Sequence, residues 1–264
     1  MIKFSIIVPT LNSYFLLKNL IKSIKSQTWQ NWDLVFIDGG SEKPHLSFIK
    51  KVCKSEKRFC FFKQTEERKD IFGAMNQGID MVDKNSWIIF LGSDDEFLDK
   101  YVLENLNSVI TNLNLHSQDL IISRGRYFDI EKNNFSRDAY FKNLKKESFL
   151  NSRDYKKLLF KGFTPPHQTT LFNGLSIINK YYNSNFKIAG DLEYFCRISL
   201  NEKLSVTTLP IETIKIRTGG ISDKKHFNRT KEVIKCYFMY FKFLFIIPLI
   251  LRYLNRLKQL LWMK

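Results

Sequence analysis

Acidic residues are in short supply. The 264 residues hold 26 Asp+Glu against 42 Lys+Arg, a formal net charge of +16. Cysteine is scarce too. Cys53, Cys60, Cys196 and Cys236 show no CxxC spacing, which excludes a disulfide scaffold and fits a reducing compartment. With 11 glycines and no short period, the fibrous classes are excluded, and no internal repeat is found. Neither GxxxxGK[ST] nor GxGxxG occurs, so no glycine cradle holds a phosphate. No apolar run reaches about 18 residues, so no membrane-spanning helix is expected, and no secretory leader follows Lys3. What is present is an apolar fraction of 44% with 24 Phe, which excludes a mainly disordered chain and suffices for a sizeable core.

The first 125 residues alternate between two periods. Short apolar runs at 4–9, 33–41, 59–62, 87–95 and 119–123 have strand character. Between them, 14–27, 45–54, 71–82 and 99–113 have helical spacing, with Leu46, Ile49, Val52 and Cys53 on one face of the second. Apolar strands alternating with amphipathic helices predict an α/β fold, a mostly parallel sheet with helices on both faces. Residues 126–165 are polar and read as a meander with short helices around a cleft. A helix is expected from 186, then a pair of strands near 205–216 and a loop at Gly219-Gly220.

In such sheets ligands sit beyond the carboxyl ends of the strands. Three strand ends carry polar residues there: Thr10-Leu11-Asn12, Asp38-Gly39-Gly40-Ser41 and Ser93-Asp94-Asp95. Each alone also reads as a helix cap or turn. Together at one sheet edge they favour a nucleotide pocket. Asp94 and Asp95 repel one another unless a cation is shared, and oxygen ligands suit Mg²⁺ or Mn²⁺. They also suit the N-terminal dipole of the next helix.

SIIVPTLN (5–12), the Asp38 strand end, AMNQGI (74–79) and FLGSDD (90–95) together resemble the family 2 glycosyltransferases of bacterial surface-polysaccharide synthesis. The likeness extends through PHQTTLF (166–172), KIAGDLEYFCRI (187–198) and TGGIS (218–222). It implies the GT-A fold and inverting transfer of one sugar from a nucleotide-diphosphate sugar, such as a UDP-sugar, to a hydroxyl. Thr10, Leu11, Asn12 and Asp38 would hold base and ribose, and Asp70 and Asn76 the nucleotide-sugar. The family often has Gly where Asp70 stands and an acid where Arg68 stands. Asp95 would bind the metal, with Asp94 at the ribose or metal, although Gly92 replaces the motif's usual first acid. Asp191 would be the catalytic base, with Glu193 its rival. His167 and Gln168 would face the acceptor and Arg217 the diphosphate; a turn histidine and a strand-end charge are the plainer readings. The QxxRW motif of the processive synthases is absent.

The chain divides into a nucleotide-sugar-binding half (1–125), an acceptor and catalytic-base half (126–222) and a basic tail (223–264). From 224 onward ten Lys/Arg face one acid, Glu232, beside an apolar stretch (237–251) interrupted by Lys242 and Pro248. Leu254, Leu257 and Leu261 share one helical face; Arg252, Arg256 and Gln259 share another. With Trp262 this predicts an amphipathic helical tail docked on an anionic membrane, or else folded back on the protein or into an oligomer. A chain cut after Ser222 should then be more soluble and retain some transfer. The implied enzyme is cytoplasmic and peripheral on the inner membrane face, with a polyprenyl-linked or oligosaccharide acceptor and no nucleic acid partner. The alternatives are a nucleotidyltransferase and a non-enzymatic basic module for membrane or nucleic acid.

Overall fold

A computed structural model describes residues 1–129, 131–142, 146–219 and 226–261. Gly220, Ser222 and Trp262 lie outside the described residues. Ten strands form one sheet: β1 (Phe4–Thr10), β2 (Trp32–Asp38), β3 (Phe59–Lys63), β4 (Trp87–Phe90), β5 (Glu96–Phe97), β6 (Leu120–Asp129), β7 (Asn134–Ala139), β8 (Ser148–Asn151), β9 (Thr170–Asn173) and β10 (Ser205–Arg217). Their order is β3-β2-β1-β4-β9-β6-β10-β5, with β7 on β6 and β8 on β10. β3, β2, β1, β4, β6 and β10 run in one direction, so the sheet is mostly parallel as expected.

The helices are α1 (Tyr14–Lys25), α2 (Lys43–Ser55), α3 (Asp70–Met81), α4 (Val102–Asn112), α5 (Ser152–Phe160), the single turn α6 (Gly174–Ile177), α7 (Gly190–Ile198), α8 (His226–Phe241) and α9 (Ile246–Leu261). Both faces of the sheet are covered. Ile6, Val8, Leu34, Phe36 and Ile89 join a core with Leu17, Leu20, Ile49 and Leu103. The alternate residues Ile7, Val35, Ile37, Ile88 and Phe90 join a second core with Ala74, Met75, Leu159, Leu192 and Phe195. This is why the parallel strands read as unbroken apolar runs. The AMNQGI segment lies directly on β1. A Cβ on Gly78 would fall 2.4 Å from Ile7 Cγ2, so only glycine permits that approach.

Two strands have no sequence counterpart. β9 inserts antiparallel between β4 and β6, and two-residue β5 pairs with the end of β10. The expected pair of strands near 205–216 is one 13-residue strand. Its register with β6 shifts between Thr208 and Ile214, across Pro210, which has no N–H for the ladder. Strand β6 crosses residue 125, so the two expected halves share a strand.

The tail is a folded part of the protein. Val233, Cys236 and Tyr237 of α8 are 0–2% exposed within the second core. Residues 227–258 form a helical stretch long and apolar enough, by length and composition, to cross a membrane, contrary to the expectation from interrupted apolar runs. They are not one rod. The backbone turns at Lys242, where φ is +49°. Thr230 Oγ1 and Tyr253 Oη lie 3.3 Å apart; a straight helix would separate these residues by about 34 Å. The amphipathicity of α9 is as read, but its orientation is now defined. Arg252 turns inward and bonds Thr164, whereas Leu254 and Leu257 face out.

Candidate active site

The three strand ends do converge, through a chain of hydroxyls that ends on a buried histidine. The Ser13 N–H donates to His45 Nδ1 at 3.1 Å, so the imidazole proton sits on Nε2, which faces Thr10 Oγ1 at 3.1 Å. Burial pushes the His45 pKa down, and only the Asp38 charge opposes this, so the ring is neutral. Thr10 Oγ1 meets Ser13 Oγ at 2.8 Å, and Ser13 Oγ donates to Ser93 Oγ at 2.9 Å. The hydroxyl of Thr10 is therefore shared within the protein. Asn12 bridges β1 to the loop after β2: its N–H donates to Ser41 and its Oδ1 accepts from Glu42 N.

Asp38 Oδ2 accepts from the N–H groups of Gly40 (3.1 Å) and Ser41 (2.9 Å). Its Oδ1 is buried without a hydrogen-bond partner, 3.6 Å from His45 Nε2. Leu11 is 58% exposed above Gly39, with its Cδ1 3.8 Å from where a Cβ on Gly39 would stand. Leu11 is an exposed apolar surface of the kind on which a planar base can lie.

At the end of β4 the two acids are not equivalent. Asp95 is 2% exposed and turned inward, where the N–H groups of Gly92 (2.7 Å) and Arg217 donate to it. Burial first, then the neighbouring Asp94 charge, raises its pKa well above the ordinary range. Asp94 is half-exposed, and its pKa is raised by burial against the charge of Arg217. A Cβ on Gly92 would lie 2.8 Å from Asp94 Oδ1 and 3.1 Å from Asp95 Oδ2, so both carboxylates fold over that glycine. Asp95, expected at the metal, is turned onto the loop by its bond from Gly92 N, and Asp94 is the less buried carboxylate of the pair. Among the described residues no group of three or more His, Cys, Asp or Glu surrounds it. Two crowded carboxylates with excess negative charge fit a hard divalent cation held by Asp94 and completed by phosphate oxygens. Arg217, at the end of β10, is brought beside Asp94 and Asp95.

A second group gathers around α7. Asp191 is half-buried in its first turn, and its charge acts on His167 and Tyr182. Glu193 is 1% exposed, bonded to Arg197 Nε at 2.9 Å and to Tyr240 Oη at 2.6 Å. Only Asp191 of the two has a surface to offer. Three of the expected site residues make bonds within the protein here. Asn76 clamps the backbone of Tyr182, donating to its carbonyl (2.9 Å) and accepting from its N–H (2.7 Å), so its amide serves the fold. His167 is 8% exposed, bonded to Tyr182 Oη at 2.7 Å and ringed by Phe90, Phe172 and Phe195. Burial lowers its pKa to about 4. It is a buried histidine on which the Asp191 charge acts, and Gln168 next to it is half-buried. Asp70 pairs with Lys187 at 2.5 Å and holds φ at +65°, the conformation for which glycine is the natural choice.

Sheet order, strand-end acids and the α7 carboxylate define a GT-A glycosyltransferase domain. S. aureus TarS 1–349 in complex with UDP-GlcNAc superimposes with a TM-score of 0.66 at 16% identity, over 89% of this chain and 66% of that one. The mannosyltransferase PcManGT from Pyrobaculum calidifontis, in complex with GDP-Man and Mn²⁺, gives 0.61 at 12% identity, over 89% and 63%. The chain belongs to glycosyl transferase family 2, whose pattern matches residues 5–172. A PGL/p-HBAD biosynthesis glycosyltransferase of Mycobacterium bovis is 28% identical over 225 residues, 83% of this chain and 79% of that protein. The GalNAc(5)-diNAcBac-PP-undecaprenol beta-1,3-glucosyltransferase of Campylobacter jejuni is 25% identical over 184 residues, 70% and 56%.

Proposed function

We propose that this glycosyltransferase moves one sugar from a UDP-sugar to a hydroxyl of a polyprenyl-linked saccharide, with inversion, at the cytoplasmic face of a membrane. The observation that carries the reading is Asp94, half-buried but not closed off at the end of β4, with the charge of Arg217 upon it. The base lies on the exposed Leu11 at the ends of β1 and β2. Asp191 takes the proton of the acceptor hydroxyl as that oxygen bonds to the anomeric carbon. The bond from that carbon to the diphosphate breaks in the same step, and the nucleoside diphosphate leaves. Arg217 stabilises the charge that develops on it. A Mg²⁺ or Mn²⁺ ion on Asp94 would supply further positive charge there.

The lipid-linked acceptor is supported by the undecaprenol in the name of the Campylobacter jejuni relative and by the tail. Only 22% of the tail's most apolar window is buried. Phe238, Phe243, Ile247 and Ile250 are exposed there, in a segment with net charge +9 from 224 onward. Each basic residue near an anionic surface contributes about 1 kcal/mol, and each fully buried large apolar side chain about 1.5–3 kcal/mol. A few of each hold the protein at the bilayer, where the reactive end of a polyprenyl-linked sugar lies. The test is product analysis with a panel of UDP-sugars and a polyprenyl-diphosphate-linked sugar. Release of UDP with an inverted anomeric centre is expected; retention overturns the single displacement.

A further inference from the structure

Helix α7 begins without a cap of its own. Ala189 stands at the N-cap position and has no side-chain oxygen. Asp191 Oδ1 accepts the Leu192 N–H at 2.8 Å, and the loop leading into the helix is held by the tail. Glu232 of α8 reaches back across the chain, with Oε1 accepting from Lys187 N at 2.9 Å and Oε2 from Ile188 N at 2.9 Å and Ala189 N at 2.8 Å. One carboxylate therefore satisfies three consecutive backbone N–H groups, and Asp191 stands two residues beyond the last of them. These are charge-assisted bonds, shorter and stronger than neutral ones.

Every neighbour of this loop is equally fixed. Lys187 Nζ meets Asp70 at the start of α3. A Cβ on Gly190 would fall 2.6 Å from the Phe72 ring, so α7 starts hard against α3. Tyr240, two turns along α8 from Glu232, bonds Glu193. The loop before Asp191 is thus clamped between the nucleotide-side helix α3 and the tail helix α8. Glu232 is the single acid from 224 onward, in a stretch otherwise selected for positive charge.

We propose that Glu232 is a positioning residue for Asp191, so that the tail helix completes the active site. This rests on Asp191 as the base. The carboxylate fixes the backbone from which Asp191 projects and sets its reach to the acceptor hydroxyl. It touches neither donor nor acceptor. Misplacing a reacting group by about 1 Å can cost roughly 100-fold in rate.

The experiment uses the full chain and four variants: E232A, E232Q, D191N and the double variant D191N/E232A. The probe is whichever of UDP-glucose, UDP-galactose and their N-acetylamino counterparts gives the largest thermal shift with Mn²⁺. Turnover is read as UDP release, and UDP affinity by calorimetry. E232A should lower kcat by roughly 10- to 100-fold while UDP affinity and donor KM stay within about twofold. E232Q keeps the side-chain length and carries the test should E232A unfold; its kcat should fall between wild type and E232A. In the D191N background, E232A should remove little further activity, since it acts through Asp191. Normal kcat in both Glu232 variants beside an impaired D191N overturns the positioning role and leaves the base in place. A fully multiplicative loss in the double variant also overturns it. Full activity in D191N removes the base, and this role falls with it.

Discussion

Tyr240 donates a 2.6 Å hydrogen bond to Glu193, and Arg197 holds the same carboxylate from the other side at 2.9 Å. The acid is thereby removed from the cleft and tied to the tail, while Asp191, two residues earlier, stays half-exposed. Positions two apart on a helix point in different directions, and here one points to the interior. D191N should keep UDP binding and lower turnover by roughly 10²–10⁴-fold. E193Q should behave in the opposite way. It should lose about 1–3 kcal/mol of stability, seen as a lower Tm, with turnover per folded molecule near wild type. The reverse ranking in steady-state assays would transfer the base to Glu193.

The tail can be dissected in the same manner. Deleting everything after Ser222 removes Val233, Cys236 and Tyr237 from the core. Core truncations cost about 2–5 kcal/mol each, and three together, about 6–15 kcal/mol, match the whole margin of a typical domain, about 5–15 kcal/mol. The shortened chain should therefore unfold or aggregate, contrary to the expectation of a more soluble, active fragment. Phe243, 89% exposed, and Ile247, 41% exposed, can be changed without entering the core. F243E with I247E should abolish sedimentation with anionic vesicles at low salt and leave Tm within about 2 °C. Unchanged sedimentation would mean that this face does not meet the bilayer.

His167 gives a pH signature. Burial holds its pKa at about 4, against the opposing pull of Asp191, so the folded protein keeps the ring neutral where the unfolded chain protonates it at about 6.5. The unfolded state then binds more protons between those values, and stability rises with pH across that window. The contribution is complete above about pH 6.5 and falls away toward pH 4, to a total of about 3 kcal/mol. His45 shifts in the same direction and adds to the slope. Tm should drop from pH 7 to pH 5, and H167Q should flatten that drop. An unchanged slope in H167Q would show that the ring already titrates in the folded state.

The parallel half of the fold was legible because β1, β2 and β4 are buried on both faces and the helices between them have clear periodicity. β5 and β9 were not, being two and four residues long with partners far along the chain. The polar residues at the strand ends do converge, as the parallel order of β1, β2 and β4 requires. Their division of labour was hidden. Nothing in the run Ser93-Asp94-Asp95 says which acid turns toward the Gly92 N–H. The clamp between Asn76 and Tyr182 joins residues 106 apart. His45 was missed for the opposite reason. Its neighbours Leu46, Val52 and Cys53 suggested the buried face, whereas the fully buried residues of α2 are His45 and Ile49, one turn apart. A histidine on the i, i+4 stripe of a core helix was the available signal. In the tail, periodicity showed an apolar and a basic face but could not say that Arg252 would be the inward one.

The account stands most directly on Asp94, and one measurement addresses it: the thermal shift of the full chain with UDP and Mn²⁺ in wild type, D94A and D95A. Binding to the folded state alone raises stability by about 2.7 kcal/mol at a ligand concentration 100 times Kd. Wild type should show a Mn²⁺-dependent rise with UDP. D94A should have a near-normal Tm without ligand and no Mn²⁺-dependent rise. D95A should be destabilised without ligand, because the Gly92 N–H loses its acceptor. A Mn²⁺-dependent rise in D94A equal to that of wild type would contradict the assignment of this carboxylate to the nucleotide-sugar site.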